Sequence, residues 1–335
     1  MNQKLFVASL VIVGVVIYLL LSSVSKTAPS EAHSIITGAP EFNDAEPVEP
    51  SPQPIQQVFD SSSSKPLAPE KYNAGALCIV EGDIEDAEIA NIEKALLEWD
   101  VERGDILLPR KDSNFETPNA VFLAPYVELG LQDLIAHARN DDMFALLTIM
   151  QRSDVPKKYR DNAARHLAIL GNTSTAMSYL VTKEMTLANS LFKQEGEITE
   201  RVKQYLTNSL AYVSYGLEQL DVTALRSYMI FVKGHKEGNY ALDPEIVLSK
   251  QEMAKVESAK SQFVNYLNQK REEKYLPAIE EKTFPDVAVR SFESSLAIEY
   301  HVFGELLQAS KNLESMGYDF ENPPECTKRV LQNFS

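Results

Sequence analysis

Residues for catalysis by the familiar routes are scarce in this sequence. The chain of 335 residues contains two cysteines, five histidines and 13 glycines. Neither cysteine belongs to a CxxC pair, and no HExxH, GxSxG, P-loop or GxGxxG motif occurs. A structural zinc site, thioredoxin-like chemistry, a serine-hydrolase elbow and a standard nucleotide site therefore lack their usual residues. We expect no cofactor.

Positive charge is also in short supply. The 32 lysines and arginines are outnumbered by 48 aspartates and glutamates, which gives a net charge of −16. Nucleic acids and anionic lipid headgroups both require a basic face on the protein that binds them. The composition therefore argues against a nucleic-acid partner and against electrostatic docking on a membrane surface.

One long apolar run stands near the N-terminus. Residues 5–25 carry no charged side chain and follow a short flank, residues 1–4. The run is longer than the apolar part of most signal peptides, which favours a retained transmembrane anchor over a cleaved signal ending near Ser23-Val24-Ser25. Lys4 favours a cytoplasmic N-terminus with the rest translocated, as in a bacterial inner-membrane protein with a periplasmic domain.

Proline and serine dominate the next segment, residues 26–71. Eight prolines and the serine run 61–64 lie in it, with only two aromatic residues. Such a composition cannot bury enough apolar surface to fold, so it predicts a disordered tether between the anchor and the remaining chain.

Helical periodicity fills residues 72–335, a length that one domain can hold. Strand signals are nearly absent, and "ALCIV" at 76–80 is the best short candidate. The pattern predicts an all-α domain of stacked antiparallel helical hairpins, either repeat-like or irregular. The predicted helices cover about 82–100, 126–139, 141–152, 157–170, 173–192, 197–219, 222–233, 245–276 and 286–316.

A weak internal repeat has an offset of 31 residues. "RNDDMFALLTIM" and "LGNTSTAMSYLV" align so that Asn140 matches Gly171 and Ala145 matches Ala176. Each segment is typical of a turn, a capping residue and a helix whose first buried residue is small. We expect Gly171 to end the preceding helix in the left-handed conformation, and Asn140 to do the same.

At these residues the chain resembles tetratricopeptide-type helical repeats over about 126–192. Gly171 lies five residues before the small residue Ala176, Pro156 closes the preceding unit, and Ala164 stands where the family usually has glycine. The resemblance implies a scaffold that binds peptides or proteins on a concave face.

Cys78 and Cys326 lie near the two ends of the folded region. In an oxidising compartment they could form one disulfide, worth on the order of 5 kcal/mol in the chain-entropy model. The alternative is a pair of unpaired core cysteines. We expect Cys326 to follow the last helix, because Pro323-Pro324 precede it.

Two clusters of side chains are candidates for a site. Asp133, His137 and Asp141 have i, i+4, i+8 spacing and would share one face of an unbroken helix, where they could hold a divalent metal. A surface Asp–His pair and a capping aspartate explain the same residues without a metal. The aromatic residues suited to a protein interface, or alternatively to the core, are Tyr205, Tyr212, Tyr215, Tyr228 and Phe231.

The sequence therefore predicts a membrane-tethered helical adaptor. Its helical domain would bind a protein or peptide partner in the cell envelope, on the non-cytoplasmic side. The alternative is an envelope enzyme, such as a metal-dependent hydrolase, with a site of unfamiliar pattern. The oligomeric state is left open.

Overall fold

The computed structural model describes residues 86–108, 121–246 and 248–332. These residues are helical and contain no strand. The predicted flank, anchor, tether and strand, all within residues 1–85, lie outside the described residues. The α-helices in the described part are α1 (Asp86–Glu102), α2 (Ala124–Val127), α3 (Leu131–Ala138), α4 (Met143–Gln151), α5 (Lys157–Leu170), α6 (Ser174–Glu195), α7 (Glu200–Glu218), α8 (Thr223–Lys236), α9 (Lys250–Glu273), α10 (Asp286–Ala309), α11 (Lys311–Ser315) and α12 (Glu325–Gln332).

Local sequence signals explain several helix ends. Gly171 ends α5 with φ of 96°, the left-handed conformation that the sequence predicted. Asp142 caps α4, because its carboxylate accepts hydrogen bonds from the amides of Phe144 and Ala145. Ser249 and Glu252 form a capping box at the start of α9.

Three predicted boundaries were wrong. Asp141, rather than Asn140, takes the left-handed conformation before α4, with φ of 60°. The predicted helix 126–139 is divided into α2 and α3, because the backbone at Gly130 is extended. The predicted helix 286–316 ends at Ser310, whose extended backbone lets its side chain cap α11.

Small residues allow the central helices to pack closely. Ala145, Ala164, Ala176 and Ala224 are fully buried in the large apolar core of the described domain. A Cβ atom at Gly216 of α7 would lie 2.8 Å from the Ala224 Cβ of α8. The small residues that the repeat pattern predicted therefore lie where neighbouring helices pack closely against each other.

Helix α9 packs across α5 and α7. Its Phe263 ring makes edge contacts with Tyr212 and Tyr215 of α7, with centroids 5.0 and 5.2 Å apart. At the end of α9, Arg271 donates a 2.6 Å hydrogen bond to the Ile169 carbonyl in the last turn of α5. A polar helix late in the chain thus covers helices that come much earlier.

Helix α1 packs against α10, beside the central helices. Leu96 and Trp99 of α1 form a small apolar cluster with Val287 and Ala288 of α10. The backbone after α1 is held at the start of α6, where Ser174 N donates to the Arg103 carbonyl. None of the helices in the described ranges is long and apolar enough to cross a membrane.

Candidate functional site

A cleft of about 270 Å³ opens between the C-terminal end of α7, one face of α9 and the 3-10 turn Ile279–Glu281. It combines apolar walls with carboxylate, ammonium, amide and hydroxyl groups. Its lining residues are Tyr215, Glu218, Gln219, Lys260, Ser261, Val264, Asn265, Ile279 and Glu280.

The turn that ends α7 places Tyr215 and Gln219 on the cleft. Leu220 takes the left-handed conformation, with φ of 56°. Asp221 N then donates to the Gly216 carbonyl and Leu220 N to that of Leu217, which is a Schellman arrangement. Tyr215 and Gln219 are four residues apart, so they lie on the same side of this helix end.

Asn268 of α9 holds the 3-10 turn that forms the opposite wall. Its side-chain oxygen accepts a 2.9 Å hydrogen bond from Ile279 N, and its amide nitrogen lies 2.9 Å from Glu280 Oε2. These bonds fix the 3-10 turn against α9, with Ile279 buried and Glu280 exposed at the rim.

Two residues that line the cleft, Tyr215 and Gln219, each have a fully buried polar atom, Oη and Oε1, with no hydrogen-bond partner within the described chain. Tyr215 is 1% exposed. Burial raises the pKa of Tyr215 far above its usual value, and Glu280 and Glu218 raise it further against an opposing effect of Arg271. The phenol is therefore neutral, and an unpaired buried polar group costs about 1–3 kcal/mol.

The charge at the rim is mainly negative. Lys260 Nζ lies 2.6 Å from Glu218 Oε1 and 2.9 Å from Glu257 Oε2. Burial alone would lower the pKa of Lys260, but these two hydrogen bonds outweigh it and raise the pKa. The cleft itself is lined by two carboxylates, Glu218 and Glu280, against one ammonium group.

A second polar cluster joins α1, α8 and α10 in the interior. Arg103 contacts Asp105 at 2.6 Å and lies 3.9 Å from the fully buried Asp221. Arg226 donates from Nε to Oε1 of Glu299, also fully buried, at 2.7 Å. Burial raises the pKa of Asp221 and of Glu299, and the neighbouring arginines oppose the rise.

The predicted metal candidates are not brought together. Asp141 Oδ1 lies 2.6 Å from both His166 Nε2 and Lys274 Nζ, whereas His137 Nδ1 lies 3.4 Å from Asp142. Asp133 is exposed. Across residues 86–108, 121–246 and 248–332, no group of three His, Cys, Asp or Glu side chains could hold a metal ion.

Most of the predicted interface aromatics lie in the core, which was the alternative interpretation. Tyr212, Tyr215, Tyr228 and Phe231 are each at most 1% exposed, and Tyr205 is partly buried. These four rings are therefore not exposed on the surface of the described domain, and their role in partner binding stays a prediction. Tyr212 and Tyr215 do contact a helix, but it is the protein's own α9.

Cys326 lies in the first turn of α12, so its predicted position after the last helix was wrong. Pro323-Pro324 precede this helix, where proline is tolerated because the first amides of a helix need no partner. Cys326 takes part in a disulfide. Its predicted partner Cys78 lies outside the described residues, so the pairing stays a prediction.

Sequence reasoning identified Tyr215 but missed the other cleft residues. Gln219, Lys260 and Glu280 come from three separate elements, and each is an ordinary polar residue with no motif around it. The one available signal was the end of the apolar stripe of α7 at Leu217, which places Gln219 at a helix terminus.

Comparison of the chain with protein-family models, with curated proteins and with solved structures gives no match.

Proposed function

We propose that the protein is a membrane-tethered helical adaptor, whose stacked helix pairs hold a protein or peptide partner at the cleft between α7 and α9. In this proposal residues 5–25 anchor the chain and residues 26–71 tether the helical domain on the non-cytoplasmic side of the membrane. The resemblance to tetratricopeptide-type repeats supports the scaffold part of the proposal.

The observation that carries the proposal is the cleft itself, which opens between two packed helices of the described domain. Binding sites are typically concave, with apolar walls and a few polar groups that orient the bound molecule. This cleft has that form, because Val264 and Ile279 supply apolar wall and Glu218, Lys260 and Glu280 supply charge.

Site-specific photo-crosslinking in native membranes tests the proposal. A photoreactive amino acid replaces Val264, which lines the cleft, and in the control it replaces Lys255, an exposed residue of the same helix. We expect one defined adduct from position 264, identified by mass spectrometry and absent from position 255. The same adducts from both positions, or none from 264, would contradict the proposal.

A further inference from the structure

We infer that the N-terminal end of α5 binds a phosphate group, either free or as a monoester on a larger molecule, through the Arg160 guanidinium and the first amides of the helix. Two independent observations meet at this helix end: a buried arginine without a counterion, and a first turn without a cap. The site shares no residue with the cleft between α7 and α9, and the inference does not depend on the adaptor function proposed above.

Arg160 is a buried cation without a partner. The residue is 8% exposed and lies on the face of α5 that also carries the buried Ala163, Ala164 and Leu167. Within the part of the chain that the structure describes, its side chain makes no hydrogen bond and no ion pair. Its Nε atom is shut off from solvent, whereas its two Nη atoms are not. Buried charges are normally paired, so an anion that reaches the Nη atoms would supply the missing counterion.

The neighbouring carboxylate, Asp161, is held by other groups. It accepts a 2.7 Å hydrogen bond from Tyr179 Oη and lies 3.0 Å from Lys157 Nζ and 3.1 Å from Lys183 Nζ. Burial raises the pKa of Tyr179, Asp161 adds to the rise and Arg160 opposes it, so the guanidinium lies within electrostatic reach of this group. Two lysines already neutralise Asp161, which leaves the charge of Arg160 uncompensated.

The first turn of α5 offers free amide donors. Pro156 is the N-cap residue, no side chain caps the helix, and the first turn contains no acidic residue. The amides of Lys157 and Lys158 therefore have no hydrogen-bond partner within the described chain. In contrast, α7 is capped by the Thr199 side chain and has Glu200 in its first turn. The N-terminal end of a helix carries partial positive charge, and its free amides bind phosphate.

The arginine and the free amides can contact one anion. Side chains of a helix tilt towards its N-terminus, and Arg160 lies only about 4.5 Å along the axis from Lys157. The guanidinium can therefore contact the oxygens of an anion bound at the first turn. Residues 152–184 contain six lysines and arginines against three acidic residues, although the whole chain has a net charge of −16. The end of α5 is thus a local positive region on an acidic protein.

The donors match a phosphate group better than a carboxylate. The two Nη groups of Arg160 and the amides of Lys157 and Lys158 form four donor groups. A phosphate monoester presents three strong acceptor oxygens, whereas a carboxylate presents two. A guanidinium binds the oxygens of phosphate in pairs, with two parallel hydrogen bonds. One phosphate group can therefore satisfy the guanidinium and the helix end together.

Titration of the full-length protein in detergent tests the inference. The probes are inorganic phosphate and N-acetyl-phosphoserine amide, with acetate for comparison, at about pH 8, where the phosphates are mainly dianions. Phosphorus NMR line widths follow the phosphates, and saturation transfer to the methyl protons follows acetate. We expect a Kd on the order of 1 mM for the better phosphate probe and at least about threefold weaker binding of acetate. The tighter phosphate probe identifies the source, free phosphate or a monoester.

Three variants assign the binding to the end of α5. Arg160→Met should weaken the binding of phosphate at least about tenfold, because it removes hydrogen bonds from a charged donor. Arg160→Lys keeps the charge but loses the paired donors, so it should weaken binding about threefold. Arg201→Met removes an exposed arginine from the first turn of the capped helix α7. It changes the net charge by the same amount as Arg160→Met and should leave the Kd unchanged.

Thermal unfolding separates binding from a purely structural role of Arg160. In phosphate-free buffer, Arg160→Met should unfold at the same temperature as the parent or at a higher one, because an apolar side chain replaces an unpaired buried charge. Added phosphate should raise the unfolding temperature of the parent and of Arg201→Met, but not that of Arg160→Met.

Three results in the titration would overturn the inference: no binding of either phosphate probe at about ten times the expected Kd, equal binding of acetate, or an equal effect of Arg160→Met and Arg201→Met. A lower unfolding temperature of Arg160→Met in phosphate-free buffer would also reject it, since the guanidinium would then have a stabilising partner within the protein.

Discussion

The central helices and the junction of α1 with α10 are held together by different kinds of interaction. From α4 to α8 the core is mainly apolar and depends on small residues such as Ala145 and Ala224, although a buried polar contact joins Asn208 to Glu184. At the junction, the apolar cluster is small, and buried ion pairs of Arg103 and Arg226 lie beside it.

This difference sets how each region should respond to mutation. Apolar packing loses stability in proportion to the volume removed or added. A buried ion pair behaves otherwise, because removal of one partner leaves a charge without compensation, while removal of both can be neutral. The four predictions below test this contrast in order of expected effect.

The largest effect is expected at the buried pair of α8 and α10. Arg226→Met should lower the free energy of unfolding by about 3–5 kcal/mol, because Glu299 is fully buried and loses its cation. Urea unfolding followed by circular dichroism measures the change.

The matched control adds Glu299→Leu to Arg226→Met. This double variant should recover most of the lost stability, since an apolar pair of similar size replaces the two charges. If Arg226→Met alone costs less than about 1 kcal/mol, the ion pair does not have the role assigned to it.

Two glycines compare a close contact between central helices with an open position in α10. Gly216→Ala should destabilise the protein by about 1–3 kcal/mol, because its Cβ would lie 2.8 Å from the Ala224 Cβ. Gly304→Ala in α10 should stabilise it by about 0.5–1 kcal/mol, because nothing lies within 4 Å of the new Cβ atom. Thermal unfolding of the two variants should shift in opposite directions, and a shared direction would reject the close approach of α7 and α8.

Asp100, at the junction of α1 with α10, should make the free energy of unfolding depend on pH. Burial raises the pKa of Asp100 from 3.8 to about 6, Asp105 adds to the rise, and Arg103 opposes it. The folded protein therefore binds more protons than the unfolded chain between about pH 4 and 6, so the free energy of unfolding falls as the pH rises through this range.

The variant Asp100→Asn isolates this contribution. Between pH 4 and 7 the parent should lose on the order of 1 kcal/mol more stability than Asp100→Asn, a modest figure because about a third of the carboxylate is exposed. Unfolding curves at several pH values measure the difference. Parallel pH profiles for the two proteins would contradict the assignment.

The smallest effect is expected for a charge pair on the surface of α1. Lys94 and Glu98 lie 3.7 Å apart and are mostly exposed. Glu98→Gln should change the free energy of unfolding by less than about 0.5 kcal/mol. A loss comparable to that of Arg226→Met would remove the distinction between buried and exposed charge on which the comparison rests.

The helices could largely be predicted from the sequence, because apolar spacing and terminal residues act locally. The predicted bounds 157–170 coincide with α5, and Gly171 ends it as expected. The turn before α4 was misplaced by one residue, since Asn and Asp both tolerate the left-handed conformation. That choice depends on tertiary partners, here His166 and Lys274, which hold the Asp141 carboxylate.

The cleft could not be predicted, because apolar spacing shows which face of a helix is buried without showing what covers it. Tyr212 and Tyr215 were suited equally to an interface or to a core, and only the fold shows that Phe263 of α9 lies over them. Glu299 likewise has no local signal for burial, since its arginine lies 73 residues earlier in the chain.

The end of α5 has a consequence for the order in which the chain is made. Its final carbonyls, at Ile169 and Gly171, receive hydrogen bonds from Arg271 and Lys282, which lie 102 and 111 residues later. At about 5–20 residues per second, a ribosome needs roughly 5–20 s to synthesise the first of these partners after the carbonyl has been made. During that interval the newly made helix must keep its terminal acceptors bound to water or to a chaperone.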